Sequence, residues 1–327
     1  MGTTKEEHIG FKRFVVFTVV SVYLLILAGG IVRTTGSGMG CPDWPRCFGK
    51  WIPPTKVSQL PSNYQELYSV HGYIEDFNPL KTWIEYINRL LGALIGIFSL
   101  LVFVLSLKFK SDKAIPRLSG LVLLMVIAEG IVGKYVVSTN LKPLIITFHM
   151  WGSIVIILLL IYIMTRLRKD DLITGKVEDF QKVKKINVLL IVFTIVQVFI
   201  GTQVRQQIDN ISVMLGFGKR DLWISQLGSE IDLHRLFSVF LFFFHIYFIY
   251  VLRKSSTSKI FNYSSSALIV LLFVEMSAGI IMSSFNIPAF LQPIHMLSAS
   301  LILGVQFFIL YVLNFNNSDV KIKIVEN

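Results

Sequence analysis

The chain has 327 residues, of which 54% are hydrophobic and only 16% charged, and its mean hydropathy is +0.66. This composition excludes a soluble globular domain. The formal net charge of +11 is divided among short segments between apolar runs. That distribution excludes a nucleic-acid partner and suits anionic lipid head groups instead.

Eight apolar runs are long enough to cross a bilayer, which takes about 20 helical residues. They occupy residues 14–32, 87–107, 118–137, 145–164, 186–204, 236–252, 267–284 and 294–313. The first run lacks a small-residue cleavage site at its end, so we predict a retained helix rather than a signal peptide. The sequence therefore predicts an all-α membrane protein with eight transmembrane helices.

Most Lys and Arg residues fall on one side of this predicted topology. They lie in the N-terminal segment, the loops 108–117, 166–185 and 253–259, and the C-terminal tail. By the positive-inside rule, both termini are predicted to be cytoplasmic.

The two halves of the chain repeat each other. Four residues of the third and fourth runs recur at identical spacing in the seventh and eighth: Glu129, Gly133, His149 and Met150 match Glu275, Gly279, His295 and Met296. Four helices per half is an even number, so both halves have the same orientation. We predict two parallel four-helix-bundle repeats, residues 1–175 and 176–327, which meet in a Lys-rich loop.

The repeat is asymmetric around the start of the second and sixth runs. The first copy places a carboxylate, an amide and a guanidinium on one side of a helix, at Glu85, Asn88 and Arg89. The second copy has Ile231, His234 and Arg235 at these positions. One half therefore keeps a carboxylate and the other an imidazole.

Three of the six histidines lie at the outer ends of predicted helices, namely His149, His234 and His295. Ionisable residues at membrane depth indicate a functional site. The other three are interpreted as a solvated tail residue, a surface loop residue and a packed or hydrogen-bonded core residue: His8, His71 and His245.

Two histidines on facing helices of a bundle suit a six-coordinate haem iron. We predict such a closed site for His234 and His295. In the first half His149 faces Asn88, a poor iron ligand, so a haem there would be five-coordinate and open beside Glu85. Open iron binds oxygen, whereas closed iron passes electrons. Zinc is a weaker candidate because no further ligands lie nearby, and a proton relay would not predict a pair.

Four arginines mark the same outer level: Arg33, Arg89, Arg205 and Arg235. They either snorkel to lipid head groups or pair with haem propionates, and the sequence leaves both readings open.

The only two cysteines, Cys41 and Cys47, lie in the first outer loop. Pro42 and Pro45 bend the chain between them, which favours a disulfide over two free thiols in an oxidising compartment. A structural zinc site would need two more ligands.

The segment 29–45 reads GGIVRTTGSGMGCPDWP and strongly resembles the first outer-loop signature of the haem A synthases. Four further motifs follow the order of that family: the Glu-x-x-x-Arg opening of the second helix, Thr147-Phe148-His149, Leu233-His234-Arg235 and Pro293-Ile294-His295. The resemblance covers essentially the whole chain. It departs from the family at Asn88, where the usual residue is His, and in the segment 206–231, which lacks a cysteine pair.

The resemblance implies eight helices in two halves and oxidation of the C8 methyl group of haem O to the formyl group of haem A, a cofactor of terminal oxidases. It implies a resident haem b on His234 and His295 and the substrate haem in the first half. The propionate reading assigns Arg33 and Arg89 to the substrate haem and the second-half arginines to haem b. Glu85 is expected to be important for activity.

The expected partners are haem O, a haem O synthase, an electron donor or acceptor and lipid, in a bacterial cytoplasmic membrane; a homo-oligomer is left open. The competing reading is a non-catalytic bis-His membrane cytochrome of b type that passes electrons from quinol to a partner. It does not explain why Glu85 is kept where the second half has Ile231. A transporter is weaker still, because no run is broken at mid-membrane.

Overall fold

The computed structural model describes residues 5–69, 76–109, 112–172 and 177–325. Its eight long helices are α1 (Lys5–Thr34), α2 (Pro79–Ser106), α3 (Ala114–Ser138), α4 (Pro143–Leu167), α5 (Phe180–Leu215), α6 (Ser229–Ser255), α7 (Lys259–Ser284) and α8 (Leu291–Val325). Within these described ranges, eight helices are long and apolar enough to cross a membrane. The prediction of an all-α, eight-span membrane protein is confirmed.

Helix α2 begins well before the apolar run that predicted it. The side chain of Asn78 caps the helix by accepting a hydrogen bond from the Lys81 amide at 3.2 Å, and Pro79 occupies the first turn. Both residues are favoured at these positions because the first amides of a helix lack intrahelical partners. The chemistry-bearing residues Glu85 and Asn88 consequently lie in the second and third turns rather than at the helix start.

Helix α5 continues well past residue 204, where its apolar run ends. The extension carries Arg205, whose Nε lies 3.5 Å from Oδ2 of Asp209, so an intrahelical ion pair accompanies the polar end. Gly216, with a φ of +80°, ends the helix in a conformation that favours glycine. Two short 3₁₀ segments, Phe217–Leu222 and Ile224–Gln226, then lead to α6.

The chain forms two compact units, Met1–Ile163 and Met164–Asn327. The predicted boundary between residues 175 and 176 falls within the segment 173–176, which lies outside the described residues.

The second unit is a closed four-helix bundle. Helix α5 packs against α6 and α8, and α7 packs against the same two helices. Each helix contributes fully buried side chains to a shared core, including Leu190, Phe248, Leu268 and Ile309. Close packing of this kind holds membrane bundles together, since lipid is as apolar as the core itself.

A buried polar cluster interrupts that core. Nε2 of Gln306 is 2.8 Å from Nε2 of His245 and donates to Oγ1 of Thr194 at 3.1 Å. The backbone carbonyl of Gln306 accepts from Asn187 at 3.0 Å, and Nδ1 of His245 bonds to the Leu241 carbonyl at 2.8 Å. The prediction that His245 is a hydrogen-bonded core residue is confirmed, and its partners offset the cost of burying it.

The first unit packs α2 between α1 and α3. Each of its four helices contributes a fully buried aliphatic side chain: Val15, Val102, Val122 and Leu160. The long outer loop between α1 and α2 adds an aromatic cluster in which Phe48 meets the rings of Tyr68 and Phe77 at centroid distances of 5.3 and 5.6 Å. This loop brings the two cysteines onto the outer part of α2.

Candidate haem sites

The first outer loop is closed by a disulfide between Cys41 and Cys47, whose Cα atoms are 4.8 Å apart. The predicted disulfide is confirmed. Both cysteines are fully buried, and the loop lies against the side of α2 that carries Glu85 and Arg89.

Glu85 and Arg89 fasten this loop to α2. The buried carboxylate of Glu85 accepts a hydrogen bond from the Cys41 amide at 2.7 Å and another from Nε of Arg89 at 3.1 Å. The guanidinium of Arg89 donates to the carbonyls of Cys41 at 2.6 Å, Asp43 at 2.5 Å and Arg46 at 3.0 Å. Because both charges are paired and further hydrogen-bonded, their burial is compensated. We call this arrangement the Glu85–Arg89 clasp.

Gly40 lets the loop reach the helix. A Cβ atom at this position would lie 2.5 Å from the carbonyl oxygen of Lys81, so any other residue would push the loop away. The carbonyl of Gly40 in turn accepts a hydrogen bond from Oγ1 of Thr82 at 2.8 Å. The local structure therefore explains the Gly-Cys pair of the loop motif. Gly40 allows close backbone contact with α2, and Cys41 forms the disulfide.

Asn88, one turn along α2 from Glu85, carries a buried Oδ1 atom with no hydrogen-bond partner within the described part of the chain. A buried amide oxygen without a partner is costly and calls for an explanation such as a bound group. The catalytic role predicted for Glu85 and the open iron position predicted at Asn88 stay predictions.

In the second unit, His234 on α6 and His295 on α8 face each other. Their ring centroids are 6.2 Å apart and their planes differ by 71°. A metal atom bound by both rings needs about 2 Å to each nitrogen, and about 1 Å more separates each nitrogen from its ring centre. The sum is about 6 Å, so the two rings are spaced as an iron atom between them requires.

The Nδ1 atom of each ring lies close to a polar side chain, which leaves Nε2 as the nitrogen for a metal. Nδ1 of His295 lies 3.2 Å from Oε1 of Glu275 on α7. Nδ1 of His234 lies 3.1 Å from Nε2 of Gln197 on α5, whose Oε1 is buried without a hydrogen-bond partner in the described chain. Nε2 of Gln197 also donates to the His234 carbonyl at 3.0 Å, so this amide contacts both the ring and the backbone of His234.

Glycines lie against the candidate ligand rings. A Cβ at Gly201 would be 3.2 Å from Cε1 of His234, and a Cβ at Gly279 would be 3.7 Å from Cε1 of His295. In the first unit, a Cβ at Gly133 would likewise be 3.7 Å from Cε1 of His149. Since Cε1 neighbours the metal-binding nitrogen, small residues here leave room for a large planar ligand. The residues present fit a haem.

Among its described residues, the first unit contains one ring of this kind. Nδ1 of His149 on α4 lies 2.5 Å from Oε2 of Glu129 on α3, which matches the pair of His295 and Glu275. Sequence reasoning noted the equal spacing of these glutamates and histidines but gave the glutamates no role. Their shared separation of 20 residues was the signal, because two antiparallel helices joined by a short turn bring such positions to one level.

The four arginines have different surroundings. Arg89 belongs to the clasp, Arg205 pairs with Asp209 on α5, and Nη1 of the half-exposed Arg235 lies 3.4 Å from Oδ1 of Asp232. Arg33 lies in the last turn of α1. The choice between lipid and propionate contacts stays open for Arg33, Arg205 and Arg235, whereas every N–H group of Arg89 already donates within the clasp. His71 lies outside the described residues, as does the side chain of His8.

The sequence is similar to known proteins along most of its length. The model of the COX15-CtaA family of cytochrome oxidase assembly proteins matches residues 12–307, most of the chain. The chain belongs to this family. Its relatives include proteins named heme A synthase from Rickettsia africae, 25% identical over 88% of this chain and 93% of the relative, and from Shouchella clausii, 24% identical over 90% and 94%. The heme A synthase of Shewanella oneidensis is 34% identical over 46% of this chain and 44% of its own length.

Proposed function

We propose that this protein is a haem A synthase, an oxidoreductase that converts the C8 methyl group of haem O into the formyl group of haem A. The observation that carries the proposal is the asymmetry between the units. The second has two imidazole rings spaced for one iron, whereas the described residues of the first provide one such ring, on His149, and a buried amide oxygen of Asn88 without a hydrogen-bond partner among them. Two haem sites with different ligand sets suit one site for electron transfer and one for chemistry.

The resident cofactor is proposed to be haem b, held by His234 and His295 in the second unit. When bound, it would supply one-electron transfer, with the two histidines as its protein ligands. Glu275 and Gln197 hold the two rings in orientation through their Nδ1 atoms. Gly201 and the repeat-matched Gly279 keep the edges of the rings clear. Arg205 and Arg235 are proposed to pair with propionates of this haem.

The substrate haem O is proposed to bind in the first unit with His149 as its iron ligand. Asn88 leaves the opposite position open, and Arg33 is a proposed partner of the propionates. Arg89 would join it only by giving up a hydrogen bond of the clasp. Glu85 is proposed to act as the base or proton donor for the reacting carbon. The same carboxylate holds the disulfide loop, so the clasp keeps this group at a fixed place and shields it from water.

The membrane is proposed to be the bacterial cytoplasmic membrane, with both termini in the cytoplasm. Haem O would come from a haem O synthase, and an electron donor or acceptor in the membrane would complete the reaction. A non-catalytic cytochrome needs the two-histidine site alone. It gives no reason for the Glu85–Arg89 clasp or for the glutamate beside His149 in the first unit.

Co-expression of the chain with a haem O source tests the proposal. Haem extracted from membranes and separated by chromatography is expected to contain haem A only when this chain is present. The control is the same host with an empty vector. If haem O stays unchanged while the protein is made and carries haem b, the protein is a cytochrome rather than a synthase.

A further inference from the structure

The two histidine–glutamate pairs differ at one position of the repeat. Three residues after His149 the chain has Gly152, and three residues after His295 it has Ser298. Both residues lie one helical turn from the histidine, on the side that faces the glutamate of the neighbouring helix. The repeat therefore offers a natural comparison of the same pair with and without a side chain beside it.

Ser298 acts on Glu275 in two ways. Its hydroxyl donates a hydrogen bond to Oε2 of Glu275, so part of the acceptor capacity of the carboxyl group is used. Its Cβ also occupies space beside the carboxyl group. Oε1 of Glu275 lies 3.2 Å from Nδ1 of His295.

Gly152 has neither effect on Glu129. A Cβ at this position would collide with Oε1 of Glu129, so only glycine allows the carboxyl group to lie where it does. Oε2 of Glu129 comes within 2.5 Å of Nδ1 of His149, closer than in the second unit. Glycine is unfavourable inside a helix, and this contact gives a reason for one in the middle of α4.

We propose that Gly152 and Ser298 set how strongly the adjacent glutamate accepts from the candidate iron ligand, which makes His149 a stronger electron donor to its iron than His295. A hydrogen bond from Nδ1 to a carboxyl group raises the basicity of the ring, and competition by a hydroxyl weakens that effect. Glu129 and Glu275 are thus positioning residues that tune the two haems differently. A histidine that donates more electron density suits the site where oxidation is proposed, and one that donates less suits the site of electron transfer. The inference rests on the proposed function, because it takes both histidines as iron ligands.

The reduction potential of the resident haem in the purified protein tests the second unit. Glu275→Gln keeps the shape of the side chain but weakens its acceptor, so the reduced haem should be favoured by about tenfold, which corresponds to 59 mV for one electron. Ser298→Ala removes the competing hydroxyl and should shift the potential in the opposite direction. Ser298→Gly also removes the Cβ and should shift it at least as far as Ser298→Ala.

Ser300→Ala is the matched control. Its hydroxyl is buried on the same helix but donates to the Leu297 carbonyl at 2.7 Å, so the wild-type potential is expected. Opposite shifts for Glu275→Gln and Ser298→Ala distinguish tuning from general disturbance of the fold. Potentials that match the control, or shifts in one direction for both variants, would overturn the inference. A wild-type protein without low-spin haem would instead refute the proposed function.

Gly152→Ala tests the first unit with haem O as the probe. The added Cβ should displace the carboxyl group of Glu129 from His149 and weaken haem O binding at this site by tenfold or more in an optical titration. The potential of the resident haem should not change. Gly96→Ala is the control, since a Cβ at that glycine of α2 meets no atom within 4 Å. Equal haem O affinity in the two variants would contradict a role for Gly152.

Discussion

Glu85 shows how one side chain can serve both structure and chemistry. Its carboxylate is buried, accepts from the Cys41 amide and pairs with Arg89 within one helix. An exposed pair with i,i+4 spacing would contribute little to stability. Burial and the backbone carbonyls around Arg89 make this pair different, because removing one partner leaves the other charge uncompensated.

We predict that Glu85→Gln sharply lowers haem A production, at least tenfold, while the haem b spectrum of the second unit stays intact. The neutral amide cannot serve as a base and weakens the clasp. The measurement is haem extraction and chromatography alongside an optical spectrum. Asp232→Asn is the control, because Asp232 forms an exposed pair with Arg235 in the corresponding helix of the repeat. Near-normal haem A production by Glu85→Gln would show that Glu85 and Arg89 form only an interfacial ion pair.

The second prediction concerns the histidine pair of the second unit. His234→Ala or His295→Ala should remove the low-spin b-type spectrum, since both rings are proposed ligands of the haem iron and lie 6.2 Å apart. His245→Ala is a useful control, because this buried histidine bonds to Leu241 and Gln306 elsewhere in the core. A full low-spin spectrum in both ligand variants would show that the rings do not bind iron.

The third prediction concerns the substitution Asn88→His. This change restores the residue usual in the haem A synthases and adds a second imidazole to the proposed site of His149. Binding of haem O should then produce a new low-spin signal in electron paramagnetic resonance that wild type lacks. Asn88→Ala separates ligation from loss of the amide and should give no such signal. Without a new signal in Asn88→His, the side chain at 88 does not face the iron.

At the scale of elements, the outer loop between α1 and α2 is held by several independent contacts. The disulfide closes it, the clasp ties it to α2, and Phe48 packs against aromatic rings further along the loop. Burial in this aromatic cluster, together with the nearby Asp43 carboxylate, raises the pKa of Tyr68. The loop is therefore a folded cap on the outer end of the first unit.

We predict that the double variant Cys41→Ser with Cys47→Ser keeps the eight-helix fold but loses part of its haem A production. Closing so short a loop contributes about 2 kcal/mol in the chain-entropy picture. The clasp and the aromatic cluster remain, so the loop loosens without unfolding. Circular dichroism and haem analysis measure the two effects. Thiol labelling of unreduced, denatured wild type should find no free thiol, and two labelled cysteines would contradict the disulfide.

At the scale of the whole molecule, each half of the repeat carries the same pair, a glutamate and a histidine on adjacent helices. Duplication of a four-helix unit gives two equivalent places for a haem. A few substitutions then give the places different properties: Asn88 against His234, Gly152 against Ser298, and Glu85 against Ile231. These differences support the proposal that one unit takes the substrate and the other the resident cofactor.

The sequence alone determined the eight helices, the internal repeat, the cysteine pair and the three candidate ligand histidines. These follow from hydropathy over about 20 residues, from regular spacing and from residue types with few alternative uses at membrane depth. The loop carbonyls that meet Arg89, the Nδ1 partners of the histidines and the space at Gly152 were decided only by the tertiary structure. Backbone carbonyls have no signature in the sequence, and contacts between helices depend on the depth and rotation at which the helices pack.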